Sequence, residues 1–156
     1  MAAVSEGVQA PDFQLASTEG EPFSLLARRG RANLVLLFLD NASGGTDTEI
    51  ATSFRDASDI FRSVRSTVIG IAKAELDELK AFQAANSLAF ELLSDDGAVA
   101  ADYGVRVRQG FGPFSRERFR RSTFLVDRTG VVRRIFRDVD AREHVNEVLA
   151  ALDEGL

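Results

Sequence analysis

Residues 33–39 read NLVLLFL, a continuous apolar run. Such a run is typical of a strand in the middle of a sheet that is covered on both faces. A turn-rich stretch, DNASGG at 40–45, follows it, and apolar residues then recur at helical spacing over 46–65. A second apolar run, TVIGIA, occupies 67–72. Together these features predict a strand, a helix and a second buried strand parallel to the first.

Similar patterns continue on both sides of this unit. Before it, two alternating stretches separated by the turn Ser-Thr-Glu-Gly predict an N-terminal β-hairpin, at 12–16 and 22–25. After it, we expect three helices and three strands, the helices at 75–86, 97–103 and 142–152 and the strands at 90–93, 122–126 and 131–136. The order resembles a thioredoxin-like α/β fold, a three-layer sandwich with an N-terminal hairpin extension. It indicates a single domain over residues 1–156.

The composition excludes several classes of chemistry. The 156 residues contain no cysteine, so disulfides, thiolate metal sites and thiol catalysis are excluded. The only histidine, His144, belongs to no recognisable motif, and we expect it to be a surface or packing residue. A net charge of −5 argues against nucleic-acid binding. The longest apolar run is too short to span a membrane, and the first residues lack a signal-peptide pattern, so we expect a cytoplasmic protein without cofactors.

Four short sequence motifs carry a resemblance to a known family. They occur in the order APDF at 10–13, FRD at 54–56, LLSD at 92–95 with YGV at 103–105, and RSTFLVD at 121–127. In this order they resemble the peroxiredoxin family, most closely its peroxiredoxin Q or bacterioferritin-comigratory type, over residues 6–152. The resemblance implies a thioredoxin-like fold and, in the usual member, antioxidant reduction of hydroperoxides by a thiol.

The resemblance also implies where an active site would lie. The family pattern Pro-x-x-x-Thr-x-x-Cys, counted back from FRD without gaps, falls on Asp40, Gly44 and Asp47, and a resolving cysteine would fall on Thr52. Only the family's arginine is retained, at Arg121. Without sulfur, no nucleophile can form a sulfenic acid and be reduced again. We therefore predict that the chain has no catalytic residue of the family mechanism and is inactive as a thiol peroxidase.

Two functions remain open for the degenerate site. The first is a binding or regulatory module, in which Asp47 and Arg121 form an ion pair that fixes the pocket. The second is an enzyme of different chemistry that uses Asp47 as an acid or base beside Arg121. A simpler interpretation of Asp47 is that Thr46-x-x-Glu49 is a capping box that starts the helix, and we prefer it.

The segment 105–121 is strongly basic and interrupted by glycine and proline, and we interpret it as a long loop or extension. It suggests binding of an unknown anionic ligand or protein partner, through Arg116, Arg118, Arg120, Arg121 and Phe114. The alternative, which the acidic balance of the whole chain favours, is a solvated loop whose phenylalanines pack into the core. The sequence leaves a monomer or a homodimer open; the resemblance implies that a monomer is common in this branch, although some relatives dimerise.

Overall fold

A seven-stranded mixed sheet forms the centre of the protein, and the computed structural model describes residues 4–156. The strands run in the spatial order β2-β1-β5-β4-β3-β8-β9, and β6 and β7 form a separate two-stranded sheet. The elements in chain order are β1 Gln14–Ser17, β2 Phe23–Ser24, β3 Asn33–Phe38, α1 Gly44–Asp56, α2 Ser58–Ser63, β4 Ser66–Ala72, α3 Leu76–Ala85, β5 Leu92–Ser94, α4 Ala98–Asp102, β6 Arg106–Gln109, β7 Arg116–Phe119, β8 Ser122–Val126, β9 Val132–Phe136 and α5 His144–Glu154.

The central strand is β3, which pairs in parallel with β4 and antiparallel with β8. Successive side chains of a strand point to opposite faces, and both faces of β3 are buried. Val35 and Leu37 pack into one apolar core together with α1, α2, α3 and α5. Leu36 and Phe38 pack into a second core that includes α4. The predicted α/β sandwich with a doubly covered central strand is therefore confirmed.

The N-terminal hairpin is also confirmed. Strands β1 and β2 pair antiparallel, and β1 extends the main sheet by pairing with β5. Residues 1–3, which belong to the segment from which a cytoplasmic location was expected, lie outside the described residues. Within residues 4–156, no helix is both long enough and apolar enough to cross a membrane.

The predicted helix over 46–65 is instead two helices, α1 and α2, that are separated at Ala57. Serine hydroxyls bond back to carbonyls of the preceding turn: the hydroxyl of Ser53 donates to Ile50 at 2.7 Å and that of Ser58 to Arg55 at 2.6 Å. Such bonds compete with the helical ladder and bend helices. The rings of the two buried phenylalanines on either side of the break stack with centroids 5.5 Å apart.

The prediction of a long loop or extension at 105–121 missed the two strands that this segment forms. Strands β6 and β7 form a β-hairpin, here called the arginine hairpin (residues 106–119), whose tip is a 3₁₀ turn at Gly112–Phe114. Arginines stand at alternate positions of both strands, and their charge conceals the two-residue period that normally identifies a strand. Phe119 is fully buried, as expected, but Phe111 and Phe114 are 90% and 85% exposed and do not pack into the core.

Candidate functional site

The candidate site lies where β3 ends and α1 begins. Helix α1 starts at Gly44, which has φ +78°, and no side chain caps its first N–H groups. A positive φ is readily adopted by glycine, so this residue allows the chain to turn into the helix early. Thr46 and Glu49 consequently lie inside the helix, and the predicted capping box is wrong. The first N–H groups of α1 have no intrahelical acceptors.

Asp47 is fully buried, and its carboxylate accepts hydrogen bonds from three other residues. Its carboxylate accepts the Asp40 N–H at 3.2 Å and the Ala42 N–H at 2.9 Å, both from the loop that precedes the helix. It also accepts the Nε–H of Arg121 at 2.6 Å, from the residue just before β8. The predicted ion pair between Asp47 and Arg121 is therefore present. The side chain joins the loop, the helix and the start of β8 at one point.

Asp40 makes a second connection from the same loop. Its Oδ1 accepts the Phe119 N–H at 3.0 Å, its Oδ2 lies 3.7 Å from Nε of Arg118, and its backbone carbonyl accepts the Lys73 N–H at 2.8 Å. Asp40 is buried, and through these contacts it attaches the arginine hairpin to the end of β3. The sequence identified Asp40 only as a degenerate position, because its partners are distant in the chain.

An open cleft of about 430 Å³ lies between the arginine hairpin and α1, here called the arginine cleft. Four arginines and one aspartate give its lining a positive charge; the residues are Thr46, Val107, Arg108, Gln109, Arg118, Arg120, Arg121, Asp138 and Val139. The predicted Arg118, Arg120 and Arg121 line it, whereas Arg116 and Phe114 do not. The lining residues that sequence reasoning missed include Arg108 and Asp138, which carry no motif and come together only through the hairpin register.

The arginines of the cleft differ in how far they are already paired. Arg120 holds Asp138 through two hydrogen bonds, which raise the pKa of Arg120 and lower the pKa of Asp138. Arg118 donates to the side-chain oxygen of Gln109 at 2.7 Å. Arg121 bonds Asp47 through Nε while its guanidinium also lines the cleft. The cleft can therefore offer charged donors to an anion without exposing Asp47.

His144 lies outside this site and has a packing role, one of the two roles expected for it. It is fully buried between Phe54 and Phe136, and a ring nitrogen lies 2.6 Å from the hydroxyl of Thr123. Burial lowers its pKa to about 4. Within residues 4–156, no three histidine, aspartate or glutamate side chains are grouped closely enough to ligate a metal ion.

Comparison with known proteins gives a consistent result. The model of the AhpC/TSA family matches residues 7–135. The chain is 33% identical over 154 residues to a chloroplastic peroxiredoxin Q of Suaeda salsa, covering 97% of this chain and 69% of that protein. It is 29% identical over 150 residues to peroxiredoxin Bcp of Bacillus subtilis, covering 95% and 94%. The structure of peroxidoxin BcpB from Mycobacterium tuberculosis superposes with a TM-score of 0.87 at 27% identity, covering 98% of this chain and 99% of that one.

Proposed function

The chain belongs to the AhpC/TSA family, in its peroxiredoxin Q/Bcp type, yet contains no cysteine, and from this premise we propose that it is a binding or regulatory module and not a thiol peroxidase. In this proposal the scaffold is retained and the chemistry is lost. The ligand is an anion held in the arginine cleft, either a small molecule or an acidic segment of a protein.

The environment of Asp47 is the observation that carries the proposal. The family pattern assigns the nucleophile to this position, where a carboxylate has no comparable two-electron redox step. Asp47 has no exposed surface, and its oxygens already accept bonds from Arg121 and two backbone N–H groups. A buried carboxylate with these partners is suited to holding the site together.

The arginine cleft supports the choice of an anionic ligand. Its four arginine side chains meet beside the uncapped first turn of α1, where N–H groups and the helix dipole favour negative charge. Guanidinium groups recognise carboxylate and phosphate oxygens through two parallel hydrogen bonds. A ligand with two or more such groups fits a cleft of this size and charge.

The alternative function, an acid–base enzyme, requires Asp47 to exchange a proton with a substrate. A general acid or base must lie within hydrogen-bond reach of the group that it serves. Asp47 is separated from the arginine cleft by Arg121 and does not belong to its lining. No described residue supplies the second catalytic group beside it, so we do not adopt this function.

The peroxidase part of the proposal is tested by peroxide consumption in the presence of a thiol reductant. We expect the native protein to be inert, because it contains no sulfur nucleophile. Asp47→Cys is the matched variant: a gain of activity would identify position 47 as the place of the missing nucleophile. Turnover by the native protein would contradict the proposal and require a route without thiols.

The binding part is tested by calorimetric titration with citrate, inorganic phosphate and poly-glutamate. Arg108→Gln and Arg120→Gln each remove one charged donor from the cleft, and we expect about tenfold weaker binding for each. Arg62→Gln is the matched control, because Arg62 is exposed on α2, far along the chain from the cleft. If the native protein binds none of the three probes, an anion site in the cleft is ruled out.

A further inference from the structure

The tip of the arginine hairpin presents two phenylalanines in a defined geometry. Phe111 and Phe114 are 90% and 85% exposed, whereas the next most exposed large apolar residue, Leu26, is 54% exposed. The Phe114 N–H donates to the Phe111 carbonyl at 2.9 Å, which closes the 3₁₀ turn between them. Exposed aromatic residues flanked by arginine are characteristic of the cores of protein interfaces.

The charge around this tip restricts what it can bind. Residues 106–119 contain four arginines and one glutamate, a net charge of +3, while the whole chain carries −5, so the rest of the chain carries −8. Arg116 is exposed beside the tip, and no carboxylate among residues 4–156 pairs with it. Contact between two such tips would bring like charges together, so the complementary surface must be acidic.

The same chain carries an acidic surface of suitable size. A cleft of about 340 Å³, here called the acidic cleft, lies where β4 and β5 end, with four carboxylates and one lysine in a lining formed by Lys73, Ala74, Glu75, Glu78, Ser94, Asp95 and Asp96. It adjoins the base of the arginine hairpin, because the Arg106 guanidinium packs against Gly97. The base of the arginine hairpin and the acidic cleft are therefore neighbours.

We propose that the tip of the arginine hairpin docks into the acidic cleft of a second copy of this chain, and that the contact is reciprocal. A surface that contains both halves of a contact can pair with itself across a two-fold axis, and such a pair is closed. Phe111, Phe114 and Arg116 are the residues that enter the partner. None of them lines the arginine cleft, so the docking is independent of the proposed anion site.

The size of the contact indicates a weak, reversible dimer. Burying four phenylalanines, two from each copy, removes about 600–1,000 Å² of surface. Stable interfaces bury about 1,200–2,000 Å² in total, so the arginines and the rim of the acidic cleft must supply the rest. Because opposite charges hold the partners together, the dimer should weaken as salt is added.

Analytical ultracentrifugation of the full chain over a concentration series tests the apolar half of the contact. We expect a dimer at low salt whose dissociation constant rises with ionic strength. Phe111→Ser and Phe114→Ser should each raise that constant about tenfold. Leu26→Ser and Ile60→Ser are matched controls, because they remove exposed apolar side chains elsewhere and should leave the constant unchanged.

A charge exchange tests the identity of the partner. Arg116→Glu and Glu75→Lys should each abolish the dimer, and the double variant should restore it, because the exchanged charges again face each other. Asp59→Lys is the control, with the same charge change on exposed α2. Thermal melts of every variant establish that it is folded.

Three results would overturn the proposal. One is a monomer at millimolar protein concentration in low salt. Another is a dimer that the phenylalanine and charge variants leave unchanged. The third is a monomer that binds phosphatidylglycerol vesicles and loses this binding on Phe111→Ser, which would identify the tip as a membrane contact.

Discussion

At the scale of single residues, Asp47 and Arg121 depend on each other. Asp47 is fully buried and the Arg121 side chain is 21% exposed. Removing either one therefore leaves polar groups of the other without a hydrogen-bond partner and with little access to water. Loss of Asp47 leaves the Asp40 and Ala42 N–H groups without their acceptor. Loss of Arg121 leaves a buried carboxylate without its cation.

We expect Arg121→Ala to lower the free energy of unfolding by about 3 kcal/mol and Asp47→Ala by about 2–4 kcal/mol. The double variant should cost less than the sum of the two, because each single change removes the same contact. Urea denaturation measures all three values. If Asp47→Ala costs no stability while Arg121→Ala costs several kcal/mol, the pair explains neither residue. The exposed pair of Arg62 and Asp59 provides a control that should cost under about 0.5 kcal/mol.

His144 makes stability dependent on pH. Its pKa is about 4 in the folded protein, against an ordinary value of 6.5, because burial disfavours the charged ring. The unfolded chain therefore binds a proton at higher pH than the folded chain. The contribution of neutral His144 to the free energy of unfolding should be fully present above about pH 6.5. That free energy should fall by about 3 kcal/mol as the pH drops to 4. Because there is one histidine, an NMR titration of its ring reports the pKa directly. A midpoint near 6.5 would contradict this prediction.

At the scale of elements, the arginine hairpin is fixed at its base and free at its tip. Phe119 is fully buried beside the ring of Phe38, with centroids 6.5 Å apart, and its N–H is held by Asp40. We expect Phe119→Ala to cost about 3–5 kcal/mol of stability and Phe114→Ala, at the exposed tip, under about 0.5 kcal/mol. Thermal or urea unfolding under dilute, monomeric conditions gives both values. Similar costs for the two variants would show that the tip is also packed.

The elements that sequence reasoning predicted are those whose apolar pattern directly reflects burial. Strand β3 and the hairpins β1–β2 and β8–β9 have such patterns, and their bounds agree closely with the structure. The arginine hairpin was missed because long charged side chains occupy its alternating positions. The break between α1 and α2 was missed because serine hydroxyls, not a glycine or proline, compete with the helical ladder at Ala57.

The candidate site was predictable in some of its residues but not in its connections. The pairing of Asp47 with Arg121 could be expected, because the motifs that resemble the family place the two residues at opposite sides of one pocket. The bonds of Asp40 to Phe119 and of Arg120 to Asp138 could not, because neither partner carries a local signal. Such contacts are specified only when the sheet and the hairpin are assembled.

At the scale of the whole molecule, the absence of cysteine makes stability independent of redox conditions. The chain has no thiol to oxidise and no disulfide to reduce. We therefore expect its melting temperature to be the same, within error, in hydrogen peroxide and in dithiothreitol. Differential scanning fluorimetry or calorimetry measures this, with Asp47→Cys as the redox-sensitive comparison. A shift of several degrees in the native protein would contradict the prediction.

The arginine hairpin also separates charge along the molecule, with +3 on residues 106–119 and −8 on the remainder. Such a distribution gives the molecule a permanent electric dipole, which orients it in the field of a charged surface before contact. Near a negatively charged surface, the protein would orient with the hairpin toward that surface, although the net charge of the whole chain is negative. On an ion-exchange column at neutral pH and low salt, a cation exchanger would then retain it through the hairpin and an anion exchanger through its acidic surface.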